Sequence, residues 1–221
     1  MAMSAHGGRA APRRAGTGRQ AGNTRTRILD VAERLVQVRG FNGFSYADVA
    51  AELAITKASL HHHFPSKAGL GEALIARYAE RFAHALAAID ADTAAAPTKL
   101  DAYAGLYSDV LRDGRMCLCG MLAAEYETLP TPIRGAVVAF LDDNEAWLER
   151  VLEQGRKDGS LRFSSAAGDT ARSILSGLEG AMLVARSHGE VEGFETGATL
   201  LLTGLAGTVQ PSSNEPQDPR D

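Results

Sequence analysis

The sequence predicts an all-α fold in two parts, three N-terminal helices followed by a larger helical unit. Three observations carry that expectation. Ala and Leu are abundant, and both favour helix. Runs of Val, Ile and Thr bounded by turn residues, the mark of strands, are nearly absent. From Ile28 onward apolar residues recur at helical spacing, and Gly or Pro breaks separate segments of helical length. The 221 residues suffice for a small domain and a medium one with a real core.

Each element has its own signal. Residues 1–22 carry Arg9, Arg13, Arg14 and Arg19, no acid and many small residues, and read as a disordered basic arm. Asn23 or Thr24 caps the first helix, in which Ile28, Val31, Ala32, Leu35 and Val36 fall on one stripe. Arg39 suits its last turn and Gly40 stops it. Phe41 and Phe44 flank a Gly-containing turn. Ser45 opens the second helix, with Asp48 three residues on as a shortened capping box, and Val49, Ala50 and Leu53 line its buried side. After a turn at Ala54 and Ile55, Thr56 caps a third, short helix from Lys57 to about Phe64, and Pro65 ends it. Ser66 starts the next. Longer helices are expected near 67–92, 98–113, 118–129, 132–158, 168–188 and 194–209, broken at Pro97, Gly114, the Pro130-Thr131-Pro132 run, Gly159 and Gly189. Residues 211–221 form a polar, Pro-rich tail.

The net charge of −4 hides an asymmetry: residues 1–81 sum to +6 and residues 82–221 to −10. A basic first third on an acidic remainder points to one end meeting a polyanion. Cys117 and Cys119 make no disulfide framework, so a reducing cytoplasm is the expected compartment. The arm lacks the apolar stretch of a signal peptide. The longest late apolar run, 198–209, is interrupted by Thr203, Gly204 and Gly207 and is shorter than the ~20 residues a membrane helix needs. There is no nucleophile–base pair, metal motif or Gly-rich phosphate loop, so neither an enzyme nor a cofactor is expected.

Two short helices joined by a tight turn, with a longer helix behind them, form a helix-turn-helix. The second of the pair is the reader, and it must be anchored inside and small outside. Leu60 and Phe64, four apart, supply the anchor and leave Lys57, Ala58, Ser59, His61 and His62 outward. The triplet His61-His62-His63 is a weak metal tract, because on a helix the three rings point in different directions. The expected division is a basic arm (1–22), a DNA-binding domain (23–67), a ligand-binding and dimerisation domain (68–210) and a tail (211–221). The arm either adds phosphate or minor-groove contacts or has no role.

Residues 24–67, above all GFNGFSYADVAAELAI (40–55) and TKASLHHHFPSK (56–67), resemble the tetracycline-repressor-like (TetR) family. The resemblance implies a homodimeric DNA-binding repressor that leaves its operator when a small molecule binds its helical domain. An activator of the same fold and a DNA-binding protein without a ligand remain alternatives. Carried over by position, Ser45 is a phosphate-binding cap, Thr56, Lys57 and Ser59 read bases and phosphates, His61 and His62 sit at backbone and base contacts, and Lys67 contacts a phosphate. There are two departures: His61 replaces the usual tyrosine, and Ala54 replaces a turn glycine. The second is tolerable if the backbone there avoids strained angles.

In the family the last two long helices build a four-helix bundle with their dimer mates. The segments 168–188 and 194–209 are rich in small residues such as Gly177, Gly180, Ala181, Gly197 and Ala198, and Ile174, Leu178, Leu201, Leu202 and Leu205 supply apolar area. A small-molecule site is expected among helices 98–113, 118–129 and 132–158, with Tyr103, Tyr107, Met116, Met121, Tyr126, Phe140 and Trp147 as lining. Cys117-Leu118 also resembles a subset of the family that senses electrophiles or oxidants through the matching cysteine. That role needs a thiolate, which Arg112, Arg115 and a helix N-terminus would favour. The other reading makes Cys117 and Cys119 small buried hydrophobes.

Overall fold

The computed structural model describes residues 17–205, with side chains from residue 23. The rest of the basic arm and the tail after residue 205 lie outside the described residues. Nine α-helices are described: α1 (Thr17–Arg39), α2 (Tyr46–Leu53), α3 (Lys57–His63), α4 (Lys67–Asp92), α5 (Ala96–Arg112), α6 (Leu118–Ala124), α7 (Thr131–Asp158), α8 (Ala167–His188) and α9 (Val191–Thr203).

The first helix confirms its stripe: Ile28, Ala32, Leu35 and Val36 are buried. It begins at Thr17, however, so the expected cap at Asn23 or Thr24 lies inside it, and the arm is helical from Thr17 onward. Gly40 stops it in the left-handed conformation, φ +82°. The capping box of α2 forms as expected, with the Ser45 N–H and hydroxyl both donating to Asp48 Oδ2 at 2.7 Å. Ala54, which ends α2, has φ 53° and ψ 42°. The condition attached to it is therefore not met, and a residue with a Cβ holds a glycine-type conformation. Thr56 caps α3 by accepting from Ser59 N at 3.1 Å, and Ser66 caps α4 by accepting from Gly69 N at 3.0 Å.

Three long-helix boundaries differ from expectation, and one of them is the last: α9 runs Val191–Thr203, three residues earlier at its start than the expected 194–209 and stopping at Gly204. Pro97 lies in the first turn of α5 rather than before it. A proline is tolerated there because the first turn has no intrahelical acceptor for its missing N–H. The expected helix 118–129 is instead α6 followed by a 3₁₀ turn, Tyr126–Thr128. Glu125, at the break, directs its carboxylate to the backbone of Phe41 and Asn42.

Buried apolar residues form one continuous cluster from Ile28 in α1 to Leu202 in α9. Helix α4 ties the first three helices to the rest. Its Arg77 pairs with Asp30 (2.7 Å) and with the buried Glu33 (2.7 Å), and Arg81 also pairs with Glu33. Its Gly71 leaves no room for a side chain, since a Cβ would lie 2.4 Å from Ile133 of α7 and 2.9 Å from Phe41. Ile174 and Leu178 of α8 and Leu202 of α9 are buried within the chain, and Gly177 of α8 packs against Leu201 of α9. Those residues, expected to supply apolar area for a dimer, build the intramolecular core. Leu183 (53% exposed), Val184 (60%) and Leu200 (71%) are the large apolar side chains that these two helices leave uncovered. Among the described residues no helix is long and apolar enough to cross a membrane.

Candidate functional site

Helix α3 is anchored as its sequence requires. Leu60 is fully buried and Phe64 nearly so, while Thr56, Lys57, Ala58, His61 and His62 are exposed and Ser59 is half-buried. The outward face carries small polar groups and one lysine, with nothing bulky between them and a polyanion groove. Ser45 is exposed at the N-terminus of α2, beside this face in sequence and capped as described. His61 is held in place: its ring lies 4.8 Å from that of Tyr46, and its Nδ1 is 3.4 Å from the Pro65 carbonyl. The Tyr46 phenol donates to the Phe64 carbonyl at 2.9 Å, and partial burial pushes its pKa up to about 12. Among the described residues no three His, Cys, Asp or Glu side chains are grouped to hold a metal ion.

Lys67 is placed differently from the phosphate contact that the resemblance implies. Its ammonium donates to the Phe44 carbonyl at 2.6 Å and sits over the rings of Phe41 (4.7 Å) and Phe44 (4.4 Å). Burial lowers its pKa, against the opposing fields of Glu125 and Asp48. Its charge therefore organises the α1–α2 turn. Arg25 was missed by the sequence reading. It is exposed on α1 with its guanidinium 4.8 Å over the Phe64 ring, which brings a cation to the end of the reading helix.

Behind this face, the end of α1 is tied to the helical part at three points. The Gln37 carbonyl accepts from Met116 N (3.3 Å) and from Arg186 Nη1 (3.0 Å). Arg186, on α8, also donates to the Val38 carbonyl. Glu125 accepts from Phe41 N at 2.5 Å and from Asn42 N at 3.3 Å, and Asn42 Nδ2 donates to Thr128 Oγ1 at 2.7 Å. Carbonyls at the end of α1 are thus satisfied by a cation from α8, and the N–H groups just beyond by a carboxylate at the end of α6.

The seven residues expected to line an effector site divide. Tyr103, Tyr107, Phe140 and Trp147 join Tyr78 and Phe82 in a buried aromatic cluster, with Tyr103 stacked on Trp147 at 5.4 Å. Its polar atoms are satisfied internally. Tyr103 bonds to Tyr107 and donates to Asn144 Oδ1, each at 3.0 Å, and Trp147 donates to Asp90 at 2.9 Å. Burial, first of all, raises both tyrosine pKa values. Tyr126 lies outside the cluster, exposed beside Arg134, and Met121 is half-buried with its sulfur 3.8 Å from Arg186. Met116 is buried and lines a cavity of about 240 Å³ between α6, α7 and α8, together with Gly120, Ala123, Leu141, Glu145, Leu175, Ser176, Glu179 and Leu183.

Cys117 and Cys119 are free and buried. Cys117 caps α6, its sulfur accepting from Gly120 N at 3.5 Å and from the Tyr78 hydroxyl at 3.7 Å. The arginines expected to favour a thiolate are engaged elsewhere: Arg112 pairs with Asp109 (2.8 Å) and Glu195, and Arg115 with Asp113 (2.7 Å). Burial, followed by the field of Glu179, pushes both thiols well above their ordinary pKa. The resting thiols are therefore neutral, contrary to what a reactive sensor needs.

Two family models match the chain. "Bacterial regulatory proteins, tetR family" covers residues 28–74, and "Tetracyclin repressor-like, C-terminal domain" covers residues 96–201. The chain is similar to the HTH-type transcriptional repressor NemR of Escherichia coli K12, 26% identical over 179 residues that cover 78% of this chain and 89% of NemR. It is also similar to the HTH-type transcriptional repressor KstR2 of Rhodococcus jostii RHA1, 30% identical over 161 residues, covering 62% of this chain and 68% of KstR2. Its fold matches the crystal structure of a TetR-family regulator from Agrobacterium tumefaciens with a TM-score of 0.82 and 31% identity, over 85% of this chain and all of that one. With the helix-turn-helix geometry and the nine-helix order, these likenesses establish that the chain belongs to the TetR family of bacterial regulatory proteins.

Proposed function

We propose that this regulator is a cytoplasmic homodimeric repressor that binds a near-palindromic operator through α3 and leaves it when an effector occupies the helical part. The observation that carries this reading is the face of α3, where exposed Thr56, Lys57, Ala58, His61 and His62 stand over an anchor of Leu60 and Phe64. Thr56, Lys57 and Ser59, at the start of the helix, meet base edges and phosphates; Ser45, His61 and His62 flank them. The DNA-binding part is residues 23–67, extended back to Thr17 by α1, and residues 68–210 bind the effector and dimerise. Dimerisation covers Leu183, Val184 and Leu200, the uncovered apolar side chains of α8 and α9. The two reading helices then enter successive major grooves ~34–36 Å apart. The names of NemR and KstR2 as repressors support the direction of control.

An effector acts by binding the released conformer better than the DNA-bound one. The tie between α1 and the α6–α8 side chains is the route by which a shift in the helical part reaches α3. The burial and neutral state of both thiols favour a non-covalent effector over thiol modification.

The test is a gel-shift titration on the DNA upstream of the protein's own gene, with competitor DNA, at several salt concentrations. Wild type is expected to give a specific shift with steep salt dependence. Lys57→Ala weakens it and flattens the slope by about one unit, the loss of one phosphate contact. A variant with unchanged affinity and slope removes Lys57 from the interface. A shift lost on alkylation and retained by Cys117→Ser would restore the thiol switch.

A further inference from the structure

One cavity in the helical part holds a buried carboxyl group that no basic side chain answers; burial pushes its pKa up, against the Cys117 thiol beside it. Glu179, on α8, lines the 240 Å³ cavity between α6, α7 and α8. Its Oε1 is sealed from solvent and has no hydrogen-bond partner. A buried carboxyl oxygen without a partner is costly, so its persistence calls for an explanation. No basic side chain among the described residues supplies one. Arg172 is committed to Glu145 on the cavity's other wall (3.1 Å), and Arg186 to the end of α1. The cavities of about 260 and 420 Å³ carry no such group. In the first, Arg115 and Arg186 are engaged by Asp113 and by the α1 carbonyls; in the second, Arg112 pairs with Glu195.

Apart from Ser176 and Glu145, whose carboxylate is held by Arg172, the rest of the wall is apolar. Met116, Ala123, Leu141, Leu175 and Leu183 surround the carboxylate. A mostly apolar cavity with one carboxyl group that no basic side chain answers selects a ligand with an apolar body and one cationic hydrogen-bond donor. The volume falls below the ~300–1,000 Å³ of sites for drug-sized ligands, so the ligand is small. Resting on the proposed effector control, we propose that this cavity binds a small organic ammonium ion, a primary or secondary amine with an apolar body, and that Glu179 is its charge partner.

The site is also placed to act. A Cβ on Gly120 would lie 2.2 Å from Glu179 Oε2, so the backbone of α6 sits directly against the carboxylate. The same short helix ends at Glu125, which holds the turn after α1. A ligand that draws Glu179 toward itself changes the packing of α6, and α6 carries the change to Phe41 and Asn42.

The experiment is thermal melting of the full chain with benzylamine or cyclohexylamine, against benzyl alcohol and benzoate of matched shape. Both amines are expected to raise Tm in a dose-dependent manner, and the neutral and anionic analogues are not. Glu179→Gln should weaken the amine response at least tenfold. Ser176→Phe, a change at an exposed position on the cavity wall, should fill the space and abolish the response with the carboxylate intact. A folded Ser176→Phe protein keeps the test valid where Glu179→Gln does not fold. No amine response in wild type, or an equal response to benzyl alcohol, overturns the proposal, as does a response retained in either folded variant. Gel shifts run in parallel separate this from the repressor reading. A specific operator complex that no amine affects removes the ligand class alone, whereas amine-dependent melting without a specific complex keeps the site and removes operator control.

Discussion

Glu125→Ala should loosen the joint between the reading helices and the helical part, and its cost follows from the contacts. The carboxylate accepts one short bond from Phe41 N, at 2.5 Å in a half-buried setting, and a longer one from Asn42 N, at 3.3 Å in an exposed one. A hydrogen bond to a charged group contributes about 1.5–3 kcal/mol. The Asn42 N–H can turn to water when the carboxylate is removed, so the loss sits mainly at Phe41, and about 2 kcal/mol is expected. For a chain of this size 1 kcal/mol moves Tm by about 2–4 °C, which gives a fall of about 4–8 °C. Melting at fixed protein concentration, so that any self-association contributes equally, measures the fall, and amide hydrogen exchange localises it. Exchange should accelerate at Phe41 and Asn42 and stay slow at Leu60, which is packed from α3. Arg186→Ala acts on the same joint through the Gln37 and Val38 carbonyls, so the double variant should lose less than the sum of the singles. A Tm within about 1 °C of wild type, with exchange at Phe41 unchanged, would refute the claim that Glu125 holds this turn.

Other consequences are equally direct. Ala54→Gly should stabilise the protein by about 0.5–1 kcal/mol, because left-handed backbone costs a residue with a Cβ about 1–2 kcal/mol and the added freedom of glycine returns about 0.5–1; a denaturant midpoint at or below wild type contradicts it. Tyr103→Phe should cost about 1–3 kcal/mol by leaving Tyr107 and Asn144 short of a buried partner, measured by urea unfolding. Native protein at pH 8 should resist iodoacetamide at both cysteines and react fully in urea. The folded thiol pKa values lie above the unfolded value of about 8.5, so their contribution to stability is complete below that pH and declines as pH rises beyond it; rapid native labelling would contradict both statements.

What was legible in the sequence is what short-range chemistry encodes. The stripe from Ile28 to Val36, the Ser45–Asp48 box and the Thr56 cap each involve residues three or four apart, and each formed. The anchor of Leu60 and Phe64 and the outward Lys57 follow from one helical period. What stayed hidden depends on partners far away in the chain. Glu125 meets Phe41 across 84 residues and Arg186 meets Gln37 across 149, and no local pattern marks either as a cap for another helix. Lys67 has the sequence position of a phosphate contact, yet two aromatic rings and a carbonyl draw its ammonium inward. The aromatic residues expected to line a site pack on one another instead, because their hydroxyl, amide and indole groups find partners inside the core.

Glu179 makes the same point from the opposite side. A glutamate in the middle of a helix reads as solvated surface, and only the lack of a basic partner, visible once α6 and α7 are packed against α8, marks it as unusual. The residues proposed to face DNA are therefore readable from sequence, since a groove of fixed shape imposes local rules on the helix that enters it. The residues proposed to receive a signal and pass it to α1 are not, because their chemistry exists only between helices. It follows that likeness to other family members is a better guide to the surface around Lys57 than to the cavity around Glu179, where one carboxyl group without a basic partner carries the proposed ligand choice.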